Sequence, residues 1–286
     1  MVVGESLSGV IILYNPDKDV IGNITSYLDT LSCLYVIDNS ESIDIQIVDS
    51  INTLGNKIKY LSLGGNLGVA TALNTGCNMA YEAGYKWVLT MDQDSLMDNG
   101  FFDIAKPLLS DFQNAIIAAS YNSFFYKPET SIYPGFISIG TVITSANLLN
   151  LGAWKSLNGF CEKLFIDEVD NEFCIRAIKA GYKIQATKNI YLKHNLGIKY
   201  FKKNIITRQT RQLTTHSPAR VYYMTRNNLF LWKKYFFTNP GLIFNRIKNL
   251  IRLVGEVTFY YPDRITYYKY IAKGTYDFLI SKYGRI

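Results

Sequence analysis

Short apolar runs alternate with segments of helical periodicity in the first 120 residues, and this alternation constrains the fold more than any other feature. Between the runs, residues 21–31 and 68–83 repeat apolar side chains at three- and four-residue spacing, which predicts helices. Strands that alternate with helices build a mostly parallel sheet, so the sequence predicts an α/β fold. The predicted buried strands are residues 10–13, 33–37, 58–63, 87–91 and 115–119.

Polar residues follow the predicted strands at the points where ligands bind in parallel sheets, which are the carboxyl ends of the strands. The first strand is followed by Tyr14 and Asn15, the second by Asp38, the third by Asn66 and Gly68, and the fourth by Asp92 and Asp94. We therefore expect a ligand site at this edge of the sheet.

The segment Asp92-Gln93-Asp94 places two carboxylates two residues apart after a strand, where the two-residue period points them the same way. Mg²⁺ and Mn²⁺ prefer such oxygen ligands and take phosphate and water as further ligands. The same spacing in Asp17 and Asp19 is better explained as the acidic first turn of a helix. The preceding strand distinguishes the two cases, so Asp92 and Asp94 are the candidates for binding a divalent cation.

Residues 64–76 read GGNLGVATALNTG, a glycine-rich turn leading into a helix. Gly68 permits close backbone approach, while Asn66 and Asn74 offer amide donors and acceptors. The pattern is not GxGxxG, so it does not predict a Rossmann dinucleotide site. A turn that merely caps a helix explains these residues equally well, and Asp38 could bind a nucleobase or ribose edge or cap its own turn.

Residues 165–172 form the densest carboxylate cluster of the chain, with Asp167, Glu168, Asp170 and Glu172 leading into a predicted helix. Carboxylates are favoured in the first turn of a helix, but capping requires only one or two of them. One of these acids could therefore act as a general base on a bound hydroxyl.

Charge divides the chain into an acidic first part and a basic second part. Residues 1–192 carry 12 Lys/Arg against 20 Asp/Glu, and residues 193–286 carry 18 against 3. We place a soft domain boundary here, with domains at 1–195 and 196–286. The basic domain would attract phosphates, anionic lipid or nucleic acid, although a solvated face is the simpler alternative.

Two features of the basic domain suggest what it binds. Arg220 and Arg226 lie within two predicted helical turns, and guanidinium groups bind phosphate in a bidentate manner. Further on, apolar residues form a stripe along one side of a predicted helix, and Lys248, Asn249 and Arg252 lie on the opposite side. Such a helix suits an anionic membrane surface or packing on the domain itself. The apolar stripe is formed by Ile243, Ile247, Leu250, Ile251 and Val254.

Neither cysteines nor histidines predict a closed metal centre. The four cysteines have no CxxC pair, and His194 and His216 have no ligand-spaced partner. The chain has no signal-peptide pattern and no run of 18 apolar residues, so we expect a cytoplasmic protein.

Several motifs taken together resemble those of the inverting family 2 glycosyltransferases, which have the GT-A fold. They are Asp38 after the second strand, GGNLGVATALNTG, MDQDS and VDNEFCIRAIKAGYKI, in this order. The segments FID and VDNEFCIRA, followed by HSPARVYYMTRNN, resemble more narrowly the bacterial rhamnosyltransferases that build O-antigens and capsules.

The resemblance implies roles for individual residues. Asp94 falls on the metal-ligand position, with Asp92 as its companion toward ribose or metal, and His194 on a metal or diphosphate position. Asp170 falls on the catalytic base, with Asp167 in reserve and Glu172 as a further candidate. Arg220 and Arg226 fall in the basic diphosphate segment, and Tyr14, Asn15, Asp38, Asn66, Gly68 and Asn74 would contact the donor. Glu168 and Phe173 depart from the aromatic residue and the Trp of relatives, which weakens the base assignment.

The resemblance also implies a reaction. A metal-dependent, inverting displacement would use Mg²⁺ or Mn²⁺ and transfer L-rhamnose from dTDP-L-rhamnose to a polyprenyl-diphosphate-linked glycan, at the inner face of the cell membrane. Alternatives are a glucosyl-, galactosyl- or galactofuranosyltransferase using a UDP-sugar, a catalytically inactive nucleotide-sugar scaffold and a nucleic-acid-binding module. Acidic strand ends repel a polyanion, so we expect no nucleic acid. The oligomeric state is left open.

Overall fold

The structure is a computed structural model that describes residues 6–98, 100–120, 135–190, 192–194, 199–214, 216–261 and 263–286. The chain forms two units, one of residues 1–162 and 169–194, the other of residues 163–168 and 195–286. The domain boundary expected from charge assigned residues 163–168 to the first domain. In the structure these residues make their contacts within the second unit, which the charge pattern could not indicate.

The first unit contains a main sheet with the strand order β3-β2-β1-β4-β8-β6-β9-β7. Five of its strands lie within one or two residues of the predicted ones. These are β1 (Ser8–Leu13), β2 (Cys33–Asp38), β3 (Ile58–Ser62), β4 (Trp87–Asp92) and β6 (Asn114–Ser120); β7 (Phe136–Ser138), β8 (Asn147–Asn150) and β9 (Lys183–Ile190) complete the sheet.

The strand pairings make the sheet mixed, as expected for this fold class. Strands β1, β2, β3 and β4 are parallel neighbours, and β6 is parallel to β9. Strand β8 runs antiparallel to both β4 and β6. Leu13 lies opposite Asp38, and Ile12 lies opposite Asp92. The two aspartates therefore end β2 and β4, the strands on either side of β1, at the carboxyl edge of the sheet. The α/β prediction is confirmed.

Helices of the first unit follow the predicted periodicity. Helix α3 packs on β1 through small residues, since a Cβ on Gly76 would lie 2.5 Å from Val10 Cγ1. A helix predicted over 21–31 starts earlier and ends at Leu28. The helices are α1 (Asp19–Leu28), α2 (Ile45–Asn52), α3 (Val69–Glu82), α4 (Gly100–Ala105), α5 (Leu151–Ser156) and α6 (Val169–Lys179).

A second, two-stranded sheet joins β5 (Ser95–Met97) to β10 (Leu192–His194) in antiparallel register. It begins one residue after Asp94, and its register places His194 opposite Ser95. The main chain thus returns to the end of β4, although the two residues lie about a hundred positions apart in the sequence.

The second unit consists of a hairpin, β11 (Lys199–Lys203) and β12 (Thr210–Thr214), and three helices. The helices are α7 (Pro218–Tyr235), α8 (Pro240–Tyr260) and α9 (Arg264–Leu279). Of the helices within the described ranges, none is long and apolar enough to cross a membrane.

Candidate functional site

Asp38 is buried at the carboxyl end of β2, with an exposed fraction of 2%. Tyr60 Oη donates to Asp38 Oδ2 at 2.6 Å, and the Ser40 backbone N–H donates to Asp38 Oδ1 at 2.9 Å. Burial, together with this hydrogen bond to Asp38, raises the pKa of Tyr60 above its usual value, so the phenol remains a donor. These two contacts fix the orientation of the carboxylate.

An amide pair shapes the turn before α3. Asn39 Nδ2 donates to Asn66 Oδ1 at 3.1 Å, and Asn39 Oδ1 accepts from the backbone of Leu67 at 2.7 Å. Gly68 caps α3 with a φ of 93°, a conformation that favours glycine, and its N–H also donates to Asn66 Oδ1. The capping explanation therefore accounts for Gly68. Asn39 was not among the predicted site residues, although it directly follows β2.

A second amide ties the ends of β1 and β4 together. Gln93 Oε1 accepts from the backbone N–H of Tyr14 at 2.7 Å, and Gln93 Nε2 donates to the Tyr14 carbonyl at 3.2 Å. Asn15, in the left-handed region at a φ of 44°, donates its N–H to Ser40 Oγ at 2.8 Å. The loops after β1, β2 and β4 are therefore linked at one edge. Gln93, at the centre of the Asp-Gln-Asp segment, was also missed.

Asp92 and Asp94 occupy different positions around the strand end. Asp92 is the last residue of β4 and is partly buried, and its N–H donates to Ser145 Oγ at 3.2 Å. Asp94 is exposed and lies beyond the strand. The two carboxylates were expected to point the same way because side chains alternate along a strand. That reasoning does not extend to Asp94, because β4 ends at Asp92 and Asp94 lies in a turn.

The carboxylates at this strand end could supply part of the ligand shell of a cation. Within the described part of the chain, no three His, Cys, Asp or Glu side chains converge on one point. Two carboxylates near a surface match a Mg²⁺ or Mn²⁺ shell completed by phosphate and water. His194 reaches this region through its backbone pairing with Ser95, but its side chain lies outside the described residues.

The acidic cluster begins with a strained segment, which we call the 165–168 loop. Phe165, Asp167 and Glu168 have φ values of 65°, 61° and 65°, in the left-handed region. Asn227 Nδ2 donates to the carbonyl oxygens of Leu164, Ile166 and Asp167 at 2.8, 2.7 and 3.0 Å. A helix side chain thus holds the loop in a backbone conformation that is unfavourable for non-glycine residues.

Arginines bind two acids of the 165–168 loop. Arg220 Nε and Nη2 donate to Asp167 Oδ1 at 3.2 and 3.0 Å. Arg246 Nη1 donates to Glu168 Oε1 at 2.7 Å. The reserve base Asp167 is therefore engaged in an ion pair.

Glu172 is likewise paired, and the prediction that it is catalytic is wrong. Its side chain is fully buried and accepts from Arg176 Nε at 2.9 Å on both oxygens. Arg176 also donates to the carbonyl oxygens of Leu157 and Gly159, so the ion pair stabilises the fold at this position.

Asp170 has a different environment from the other three acids. It lies in the first turn of α6, is partly buried, and accepts from the Asn171 N–H at 2.8 Å. It lines a small cavity together with Thr90, Thr144, Phe160 and Phe173. Thr90 precedes Asp92 by two residues on β4, so this cavity places Asp170 beside the strand that ends at Asp92.

The prediction that Arg226 binds a diphosphate is wrong. Its side chain has no exposed surface, and it donates to the carbonyl oxygens of Gly284, Lys163 and Leu164 at 2.7, 3.3 and 3.2 Å. The guanidinium also packs on the ring of Tyr223. Arg220, in contrast, is half exposed.

Asn74 is also not available to a donor. Its Oδ1 accepts from Trp154 Nε1 and the Phe160 N–H, and its Nδ2 donates to the Phe160 carbonyl and to Glu162. An amide has two donor hydrogens and two acceptor lone pairs, so these contacts use all of its capacity. The predicted donor contact is wrong because Asn74 braces the 158–162 segment.

His216 lies in the second unit beside Arg220. Burial lowers the pKa of this imidazole below its usual value, Arg220 lowers it further, and Asp167 opposes the change. The residue lines a cavity of about 130 Å³ with Glu168, Asn228 and Arg246.

Comparison with known proteins gives three findings. Residues 8–169 match the model of glycosyl transferase family 2. The dTDP-rhamnosyl transferase RfbF of Shigella flexneri is 26% identical in an alignment of 252 residues, and the match covers 81% of this chain and 81% of that protein. S. aureus TarS 1–349 in complex with UDP-GlcNAc superposes with a TM-score of 0.61 at 15% identity, over 96% of this chain and 80% of that one.

A longer S. aureus TarS structure superposes with a TM-score of 0.52 at 16% identity. The matched region covers 79% of this chain and 40% of that protein. At these identities the TarS structures establish a shared fold.

Proposed function

This chain belongs to glycosyl transferase family 2, and from that premise we propose that it transfers L-rhamnose from dTDP-L-rhamnose to a lipid-linked glycan. The chain is a glycosyltransferase with the predicted GT-A fold. A dTDP-rhamnose donor is supported by the name of the Shigella flexneri relative, which aligns over 81% of both chains.

The donor nucleotide is proposed to bind at the linked loops after β1, β2 and β4. Asp38 would accept from the base or ribose, because its carboxylate is held in place by Tyr60 and Ser40. Tyr14, Asn15 and Asn66 line the same edge, and the Gln93 bridge would maintain the spacing between its loops.

A divalent cation is proposed to be held by Asp92 and Asp94, with His194 approaching from β10. When bound, it would neutralise charge on the departing diphosphate. Of the two arginines predicted to bind the diphosphate, Arg226 is buried and Arg220 is half exposed. Arg220 therefore stays the candidate.

The place of Asp170 in the fold supports the proposed mechanism. Asp170 lies in the first turn of α6 and lines the cavity beside Thr90, two residues before Asp92, whereas Glu172 is fully buried. Asp170 would accept the proton of an acceptor hydroxyl as that oxygen bonds to the anomeric carbon and the bond from this carbon to the diphosphate oxygen breaks. A single displacement of this kind inverts the anomeric centre.

The acceptor is proposed to be a polyprenyl-diphosphate-linked glycan in O-antigen or capsule synthesis, at the cytoplasmic face of the cell membrane. The excess of basic residues in the second unit supports an anionic, membrane-bound acceptor.

Incubation with dTDP-L-rhamnose, UDP-glucose, UDP-galactose and UDP-galactofuranose, with Mg²⁺, Mn²⁺ or EDTA, tests the proposal. We expect nucleotide release and transfer to lipid-linked glycan with dTDP-L-rhamnose and a metal, and an inverted anomeric configuration by NMR. Preference for a UDP-sugar would contradict rhamnose, and a retained configuration would contradict the single displacement. Asp170→Asn should lower the rate of transfer by about a hundredfold or more while leaving nucleotide binding intact.

A further inference from the structure

The outward face of α8 combines large apolar side chains with cations. At about 100° per residue, Phe244, Lys248, Ile251, Arg252 and Phe259 fall within an arc of about 100°. Phe244 is 69% exposed and Ile251 67% exposed. We call these five residues the α8 outer face.

The same helix has a separate apolar face that packs on its own unit. Ile243, Leu253 and Val257 are buried and lie on the opposite side of the helix. The apolar stripe predicted for this helix included Ile251, with Lys248 and Arg252 on the opposite side. In the structure Ile251 is exposed beside these cations, so its predicted position on the helix is wrong. The outer-face apolar residues are therefore not needed for packing within the unit.

The turn before α8 adds a second set of exposed aromatic residues next to lysines. Phe237 is 93% exposed and Phe236 52% exposed, directly after Lys233 and Lys234 in the last turn of α7. Grouped exposed apolar residues mark interaction surfaces in soluble proteins, whereas single ones do not.

We propose that the α8 outer face and the Phe236-Phe237 turn bind the surface of an anionic lipid bilayer. The chemistry is complementary, since apolar side chains enter the headgroup region while Lys and Arg attract anionic lipid. A second copy of the chain is disfavoured, because a symmetric contact would bring together the Lys248 and Arg252 cations of both copies, and Glu256, 3.7 Å from Arg252 Nε, offsets only the arginine charge. Nucleic acid would not use an aliphatic Ile251 for stacking.

The inference deepens the proposed function, because a lipid-linked acceptor is reached at a membrane. The surface lies entirely in the second unit, and its binding needs neither donor nor metal. A binding assay without substrate therefore tests it independently of sugar transfer.

The test is co-sedimentation of the full-length chain with vesicles of phosphatidylcholine alone or with about one-third phosphatidylglycerol. We expect binding to the anionic vesicles and about tenfold weaker binding in about 0.5 M salt, because exposed charges are screened. Phe244→Ser combined with Ile251→Ser should weaken binding about tenfold or more. Lys248→Ser combined with Arg252→Ser should do the same.

The matched controls are Phe112→Ser with Ile178→Ser, two exposed apolar residues of the first unit, and Lys106→Ser with Lys179→Ser. Both should bind like the wild type, and circular dichroism should show all variants folded. Two outcomes of the vesicle assay would overturn the proposal: an equal loss of binding in the control variants, or equal binding of the wild type to neutral vesicles. The proposal would also be overturned if the α8 substitutions abolished RNA binding or dimer formation of a protein that does not bind vesicles. Vesicle binding without transfer would refute the proposed function alone.

Discussion

The side-chain amide of Asn227 donates to the carbonyl oxygen of Ile166 at 2.7 Å, in the middle of the strained 165–168 loop. The same nitrogen reaches the carbonyls of Leu164 and Asp167. Three left-handed residues in this loop would each cost about 1–3 kcal/mol without such support. Helix α6 and Asp170 follow the loop directly in the chain.

Asn227→Ala should therefore lower the free energy of unfolding by about 1–3 kcal/mol, because buried carbonyls lose their donor. We also expect kcat to fall more than nucleotide affinity, since the altered loop precedes the proposed base. Urea unfolding and single-turnover transfer measure the two effects. Asn228→Ala is the control, because the Asn228 amide donates to the carbonyl of Met224 in its own helix. Equal effects of both variants would contradict the role of Asn227.

The two arginines of α7 should respond differently to substitution. Arg226→Ala should lower the unfolding free energy by about 3 kcal/mol, because it leaves several buried carbonyls without a donor. Arg220→Ala should change stability by less than about 1 kcal/mol, since its ion pair is half exposed. Arg220→Ala should instead weaken nucleotide-diphosphate binding. Thermal unfolding and calorimetric titration separate the two, and a stable Arg226→Ala protein with weakened binding would reverse the assignment.

Two acids of α6 provide a second contrast. Glu172→Gln should destabilise the protein by about 3 kcal/mol, because Arg176 loses a buried partner. Asp170→Asn should fold normally and lower kcat by about a hundredfold or more. Measurement of melting temperature and kcat for both variants tests the assignment; an active Asp170→Asn enzyme would exclude Asp170 as the base.

His216 should make stability depend on pH. Its pKa is lowered in the folded protein, so the unfolded chain binds a proton more readily. The resulting stability is present above about pH 6.5 and is lost as the pH falls through the lowered pKa. The melting temperature of wild type should decline from about pH 7 to about pH 5 more steeply than that of His216→Asn. Parallel declines would show that His216 is not responsible.

Local patterns predicted most of the first unit, and the reason is visible in β4. The short length of its apolar run and the polar residues that follow favour a buried strand, and the observed strand ends at Asp92. The short strands β5 and β10 were not predicted, because three residues carry no measurable periodicity. Strand β8 runs directly into α5, which obscures its boundary.

Side-chain partners distant in the sequence account for the errors at the site. Arg226 is buried because carbonyls of residues 163, 164 and 284 surround it, and a sequence pattern gives no sign of that pairing. Asn74 is used by Trp154 and Phe160, which lie about eighty positions away. The positions of Asp38 and Asp92 at strand ends and of Asp170 at a helix start could be predicted because these are local features, and their roles stay predictions.

The most direct test of the account is calorimetric titration of the protein with dTDP in the presence of Mg²⁺ or Mn²⁺, repeated with EDTA and with Asp94→Asn. We expect binding that requires the metal, is stronger for dTDP than for UDP, GDP or CMP, and is lost in the variant without loss of fold. Asn74→Ser is the matched control; it should lower stability but retain dTDP affinity, because Trp154, Phe160 and Glu162 use the whole hydrogen-bonding capacity of the Asn74 amide. Absence of nucleotide binding by the folded wild-type protein, with or without metal, would contradict the donor site.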